Sequence, residues 1–111
     1  MDTRLRNEKK IEYYDNGYIR FEGEYLNGKR NGKWKEYNDN GNLEFDGEYL
    51  NGKRNGKGKE YDYNSKLLFE GEYLNGKRWN GKGYNSFGII ELKLKDGSGK
   101  GKEYNKYVNT L

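Results

Sequence analysis

The side chains of this chain that could do chemistry return in a fixed order. Gly-Glu-Tyr-Leu-Asn-Gly-Lys-Arg stands at 23–30, 47–54 and 71–78, so a carboxylate, a phenol, an ammonium and a guanidinium recur every 24 residues. Nucleophilic catalysis finds little to build on. Ser65, Ser86 and Ser98 have no histidine to act as base, because the sequence contains neither His nor Cys. A lysine-activated serine needs a buried amine, which an open sheet hardly provides. The same gap removes the usual zinc ligands and any disulfide framework. Paired carboxylates support glycoside hydrolysis where they converge, but here they alternate with lysines, as a solvated lattice requires. The Gly-Lys steps at 28–29, 52–53 and 76–77 are each followed by Arg, whereas a Walker loop needs Ser or Thr there and a helix behind it. No Asp-x-Asp-x-Asp run points to calcium. The expectation is a protein that is not an enzyme, with no catalytic residues, cofactor, metal or small-molecule substrate.

What must position these groups is the repeat. Phe21, Phe45 and Phe69 share one phase of it, as do Tyr13, Tyr37 and Tyr61, and Ile19, Leu43 and Leu67. Residues 1–10 form a charged N-terminal segment and 11–111 the array, in units of about 11–22, 23–46, 47–70, 71–95 and 96–111. The fourth unit is irregular: Trp79 reads as an insertion after Arg78, and two residues are lost before Tyr84. Gly99 to Tyr104 repeats Gly56 to Tyr61 and closes the array as a partial cap. Gly every few residues would cost a helix about 1 kcal/mol each, and no helical apolar stripe exists. Asn-Gly between alternating segments signals a type I′ hairpin. Turns centred on Asn16-Gly17, Asn40-Gly41 and Asn64-Ser65 pair strand 32–38 with 43–49 and 56–62 with 67–73. Leu26 to Asn31 is then a longer loop. Asp96-Gly97 makes a further type I′ turn that aligns Leu94 with Gly99 and Leu92 with Gly101.

Charge tests this register, since opposite charges directly across strands stabilise and like charges destabilise. If Tyr25 faces Gly32, Glu24 meets Lys33 and Glu22 meets Lys35. Two rows follow, Glu24–Lys33–Glu48–Lys57–Glu72 and Glu22–Lys35–Asp46–Lys59–Glu70, and signs alternate at every step. The opposite face carries rings beside glycines, with Trp34 next to Gly47 and Tyr49 next to Gly56. A slip of one residue destroys both patterns. The fold expected is all-β: a single-layer, elongated, twisted antiparallel meander of β-hairpin repeats.

Composition agrees only when the rings are counted. A mean hydropathy of −1.44, with 36% charged residues and 17 Gly among 111, ordinarily indicates disorder. Twelve Tyr, 4 Phe and 2 Trp oppose that, and 22 basic residues against 18 acidic ones leave a net charge of only +4. Rings packed over backbone replace a thick aliphatic core. Met1 to Lys10 lacks an apolar leader segment, and no run approaches the roughly 20 apolar residues of a membrane span. A cytoplasmic location is expected, with peripheral attachment to a membrane as its variant.

The array resembles the MORN repeat (membrane occupation and recognition nexus). The resemblance lies in Phe-Glu-Gly-Glu-Tyr-Leu-Asn-Gly-Lys-Arg-Asn-Gly-Lys-Trp at 21–34, the matching run at 45–58 and the third copy from Phe69. It covers about residues 11 to 104. The period is one longer than the family's usual repeat, and Trp34 replaces the second Gly of Gly-x-Gly, as in the bacterial MORN-like variant of predicted antitoxins. The resemblance implies an elongated, twisted antiparallel sheet. Its members include membrane-junction proteins, lipid-kinase regulators, ciliary spoke proteins and predicted antitoxins.

Two surfaces are then candidates for contact. Tyr25, Trp34, Tyr49, Tyr73 and Trp79 supply large, amphipathic rings on the glycine face, which suits a protein partner. Lys29, Arg30, Lys53, Arg54, Lys77 and Arg78 have no acid expected across the strand. They line one edge about 10 Å apart per repeat, from two strand spacings of about 4.8 Å, and would attract anionic headgroups or an acidic partner. A plainer reading of that ridge is solubility. The functional expectation is a binding scaffold for a protein, a second copy included. A peripheral adaptor for acidic phospholipid and an antitoxin-like neutralising protein are the alternatives, and nucleic acid is disfavoured for want of an aromatic-rich RNA-binding motif.

Overall fold

A computed structural model describes residues 7–99. The strands are β1 (Asn7–Tyr13), β2 (Ile19–Leu26), β3 (Lys29–Tyr37), β4 (Leu43–Leu50), β5 (Lys53–Tyr61), β6 (Leu67–Leu74), β7 (Lys77–Tyr84), β8 (Ile90–Lys95) and β9 (Ser98–Gly99). Each pairs antiparallel with the next, in one nine-stranded sheet that follows chain order. The molecule measures 57 × 35 × 17 Å, a single layer as the repeat implies. Among the described residues there is no helix.

Two kinds of turn alternate; Asp96-Gly97 is the type I′ turn expected, and the others fall at the opposite positions from those expected. Asn27-Gly28, Asn51-Gly52, Asn75-Gly76 and Asp96-Gly97 have both residues at positive φ, for example 54° and 88° at Asn51-Gly52. These are the two-residue type I′ turns, so Leu26 to Asn31 is a tight hairpin and not a longer loop. At Asn40-Gly41 only the glycine is left-handed, at φ 85°. There Gly41 N donates to Asn38 O at 3.0 Å and Asn38 N to Asn42 O at 2.8 Å, a type I turn closed by a glycine bulge. The residue that opens it supports it. Asn38 Oδ1 accepts from the amides of Asn40 and Asn42, both at 3.0 Å, and Asp62 and Asn85 do the same for their turns.

The register follows the charges on one side of each strand and departs from them on the other. Glu22–Lys35–Asp46–Lys59–Glu70 is continuous, each residue directly opposite the next. Lys33 meets Glu48 and Lys57 meets Glu72, as expected. Tyr25, however, faces Arg30 and Tyr49 faces Arg54, with a register shift just before each. The expected pairings of Tyr25 with Gly32, Glu24 with Lys33, Glu48 with Lys57, and Tyr49 with Gly56 are replaced by a bulge. Because the hairpin uses only two residues, the surplus ones must leave the ladder nearby. Gly56 sits there at φ 98°, and Glu48 Oε1 covers it while accepting from Lys57 N at 2.8 Å.

The fourth unit changes this bulge. Tyr73 faces Arg78 and Glu72 faces Asn80, with Trp79 alone between them. Trp79 is therefore what remains of a bulge one residue shorter, and not an insertion into a regular strand. Leu94 stands opposite Gly99, as expected. The pairing of Leu92 with Gly101 and the cap beyond Gly99 lie outside the described residues.

Candidate interaction surfaces

The ring face is built from the backbone outward. Phe21, Gly23 and Tyr25 share it with Trp34, Phe45, Tyr49, Phe69 and Tyr73, because alternate residues of a strand face the same way. Trp34 is 1% exposed, Phe45 1% and Phe69 0%, and Tyr49 and Tyr73 are also buried. The indole of Trp34 occupies the space that a Cβ at Gly23 would take, and its Nε1 donates to Glu24 O at 2.8 Å. Tyr25 packs edge-on against Trp34 and Phe45 against Tyr73, with centroids 5.2 and 5.6 Å apart. Trp34, Tyr49 and Tyr73 are thus core, not contact anchors. An indole or phenol without exposed area offers a partner nothing to touch. Tyr25 is half-buried, with the Lys10 ammonium 5.2 Å from its ring. Trp79 is half-buried as well, its indole against Gly97 of the β8–β9 turn.

Over the rings lie the arginines. The Arg30 guanidinium is 4.6 Å from the Trp34 ring, Arg54 is 3.8 Å from Phe45 and Arg78 is 4.6 Å from Phe69. Such stacking suits a planar, weakly hydrated cation. Glutamates stand between the arginines in sequence order. Glu36 lies 3.8 Å from Arg30 and 3.6 Å from Arg54, and Glu60 lies 3.9 Å from Arg54 and 2.7 Å from Arg78. Arg78 holds Glu60 in bidentate fashion, donating from Nε at 2.9 Å and Nη2 at 2.7 Å. The hydroxyls of Tyr49 and Tyr73 donate to Glu36 and Glu60 from below. Burial pushes the Glu60 carboxyl up, but Arg78, Tyr73 and Arg54 together outweigh it and hold the group below its ordinary value. Burial and the Glu36 carboxylate both raise the Tyr49 phenol.

This arrangement splits the expected basic ridge. Arg30, Arg54 and Arg78 turn inward onto the rings, so they are not free anion receptors. Lys29, Lys53 and Lys77 remain exposed at the hairpins. Opposite Lys53 and Lys77 stand Leu50 and Leu74, which are 57% and 41% exposed. The sequence signal for the inward arginines was present in Glu36 and Glu60, which recur at the ring-face phase one strand away.

The other face is a trough of about 580 Å3 running from β3 to β7. Its floor is the backbone of Gly47, Gly58, Gly71 and Gly81, positions that alternate with the charged residues and have the ring face as their side-chain side. Its walls are the continuous row through Asp46, Lys59 and Glu70 and the separate pairs Lys33–Glu48 and Lys57–Glu72. Each strand contributes one sign: Lys33 and Lys35 from β3, Asp46 and Glu48 from β4, Lys57 and Lys59 from β5, Glu70 and Glu72 from β6. The alternation ends at the far side, where Lys82 of β7 stands directly opposite Lys93 of β8. Tyr37 donates to Glu22 at 2.8 Å along the same wall, and burial together with that carboxylate pushes its phenol up to about 12.

Among the described residues no group of three acidic side chains could hold a metal ion, and no helix is long and apolar enough to cross a membrane. Comparison with protein-family models, curated proteins and solved structures returned no match to this chain.

Proposed function

We propose that this chain is a MORN-type repeat array acting as a non-enzymatic scaffold, which binds a protein partner along its extended sheet. One observation carries the reading: the sheet has two unlike faces. The ring face is sealed by its own arginines and glutamates, while the charged face offers a side-chain-free floor between ordered walls. A layer 17 Å thick and 57 Å long puts most of its residues within reach of a partner, which suits contact better than enclosure of a substrate. Neutralising a toxin by direct contact is one form of the same role.

The test is chemical footprinting of the full chain with a partner captured from the source cell and freed of lipid and nucleic acid. Protection confined to one sheet face supports the scaffold. Capture of nucleic acid or lipid without protein contradicts it. A second reading has its own observation. Exposed Leu50 and Leu74 beside Lys53 and Lys77 combine apolar and basic groups on one edge, as a peripheral membrane protein requires. Vesicle pelleting that depends on acidic lipid and on both leucines would favour that adaptor role in the cytoplasm.

A further inference from the structure

We infer that the charged trough receives a mixed-charge peptide segment whose acidic end lies against Lys82, Lys93 and Lys95. This rests on the scaffold reading and names its surface and the chemistry of its partner. The starting observation is a break in an otherwise regular pattern. From β3 to β7 each lysine of the row through Lys35 and Lys59 has acids across both neighbouring strands, and Lys82 has Glu70 on one side. On the other side it has Lys93. Like charges directly opposite are destabilising, so the fold carries this pair at a cost that an incoming anion would remove.

The nearby acids are already engaged or placed apart. Glu70 Oε2 accepts from Tyr84 at 2.5 Å, and Glu72 Oε1 accepts from Asn80 Nδ2 at 3.1 Å. Glu91 is two positions along β8, and Asp96 sits in the β8–β9 turn, its amide bonded to Asn80 at 2.9 Å. Lys82, Lys93 and Lys95 are all exposed. Lys82 lines the far end of the trough, and Lys93 and Lys95 stand on the next strand just beyond it, Lys93 directly opposite Lys82.

The charged bands also select the occupant. A lipid surface or a nucleic-acid strand presents one sign only, and the β4 and β6 acids would repel it. A peptide can bring both signs in order. Six strands, β3 to β8, are five spacings or about 24 Å, the length of roughly seven extended residues. Only every second residue of an extended peptide faces the trough, so three or four facing groups of both signs span it, with acids at the β7–β8 end. Exposed charges at these separations give weak, salt-sensitive binding that fixes register more than affinity.

The probe is a fluorescein-labelled Glu-Ser-Lys-Ser-Glu-Ser-Glu peptide, which carries both signs on one face when extended, titrated into the full chain and read by anisotropy. Binding should be seen at about 0.02 M salt and weaken several-fold at about 0.15 M. Lys93→Glu restores the alternation, so it should raise the melting temperature and weaken the peptide about tenfold. Lys53→Glu, the same charge change at a hairpin edge, should leave the peptide's affinity unchanged. Equal losses from the two variants would overturn the site, as would a Lys93→Glu chain that melts lower or binds unchanged. Pelleting by phosphatidylserine vesicles that Lys93→Glu abolishes, without peptide binding, would reassign the lysines to a membrane. If the peptide does not bind and a captured partner protects the Leu50–Lys53 edge, this inference fails and the scaffold stands. If no protein is captured at all, the scaffold reading fails with it.

Discussion

Trp34 is the residue whose role the structure changes most. In sequence it interrupts a glycine pattern and looks like an anchor for something outside. In the fold it fills the space above Gly23 and leaves 1% of itself exposed. Trp34→Gly should therefore cost about 3 kcal/mol or more, within the range for emptying a buried aromatic site, and chemical denaturation of the variant measures it. The presence of Gly58 at the same phase is no argument for tolerance, because Tyr73 and Phe45 already cover Gly58. Glu60 carries a second prediction. Its carboxyl is held below the ordinary value of 4.5 in the folded chain. The folded state then takes up its proton at lower pH than the unfolded state does, so this contribution to stability is complete above about 4.5 and is lost as pH falls through the folded value. Glu60→Gln should be less stable than the parent at neutral pH, and the gap should narrow on acidification. A gap that stays constant down to acid unfolding would mean that Arg78 and Arg54 do not hold the carboxylate.

At the scale of strands and turns, the sequence made the meander, its period and one charged row legible, because each rests on an alternation that a single slip would ruin. The turn types were not legible in the same way. Asn-Gly occurs at both kinds of turn, as at Asn27-Gly28 and Asn40-Gly41, and the dipeptide alone does not say which copy is the two-residue turn. Asn38, Asp62 and Asn85 open three of the other turns, and their side chains accept two amides each and support the type I geometry; the Tyr14–Tyr18 turn has the same backbone bonds with Tyr14 in that place. Once the tight turns are placed correctly, the bulge beside Glu24 and Glu48 follows from counting residues. Arg30 and Arg54 stand opposite Tyr25 and Tyr49 in the ladder and so fall on the ring face, whereas a loop over 26–31 would place Arg30 on an outer ridge. The continuous row provides the sharper test of register. Lys59→Glu would place an acid directly between Asp46 and Glu70, whereas Lys53→Glu at the hairpin faces only Leu50. The first should destabilise by about 1 kcal/mol more than the second, from two unfavourable cross-strand pairs. Equal melting temperatures would show that the row is not formed in solution.

Across the whole molecule, the problem for a single-layer sheet is to dry one face without a second layer. Here the second layer is made of side chains: rings over glycine backbone, guanidiniums over rings, carboxylates between guanidiniums. The guanidinium heads cover the ring faces and are neutralised by Glu36 and Glu60, and this lets a chain of low mean hydropathy fold at all. The expected need for a partner on the ring face disappears, and the charged trough becomes the open surface. Which face is inside is the central claim, and Trp34 reports on it directly. In a Trp79→Phe chain, Trp34 is the sole indole, and its quenching by acrylamide can be compared between native and denatured protein. The structure predicts native quenching several-fold weaker than in denaturant, whether or not any partner is present. Native quenching as strong as in the denatured chain, in a protein whose circular dichroism still shows the sheet, would put Trp34 in water and return the contact surface to the rings.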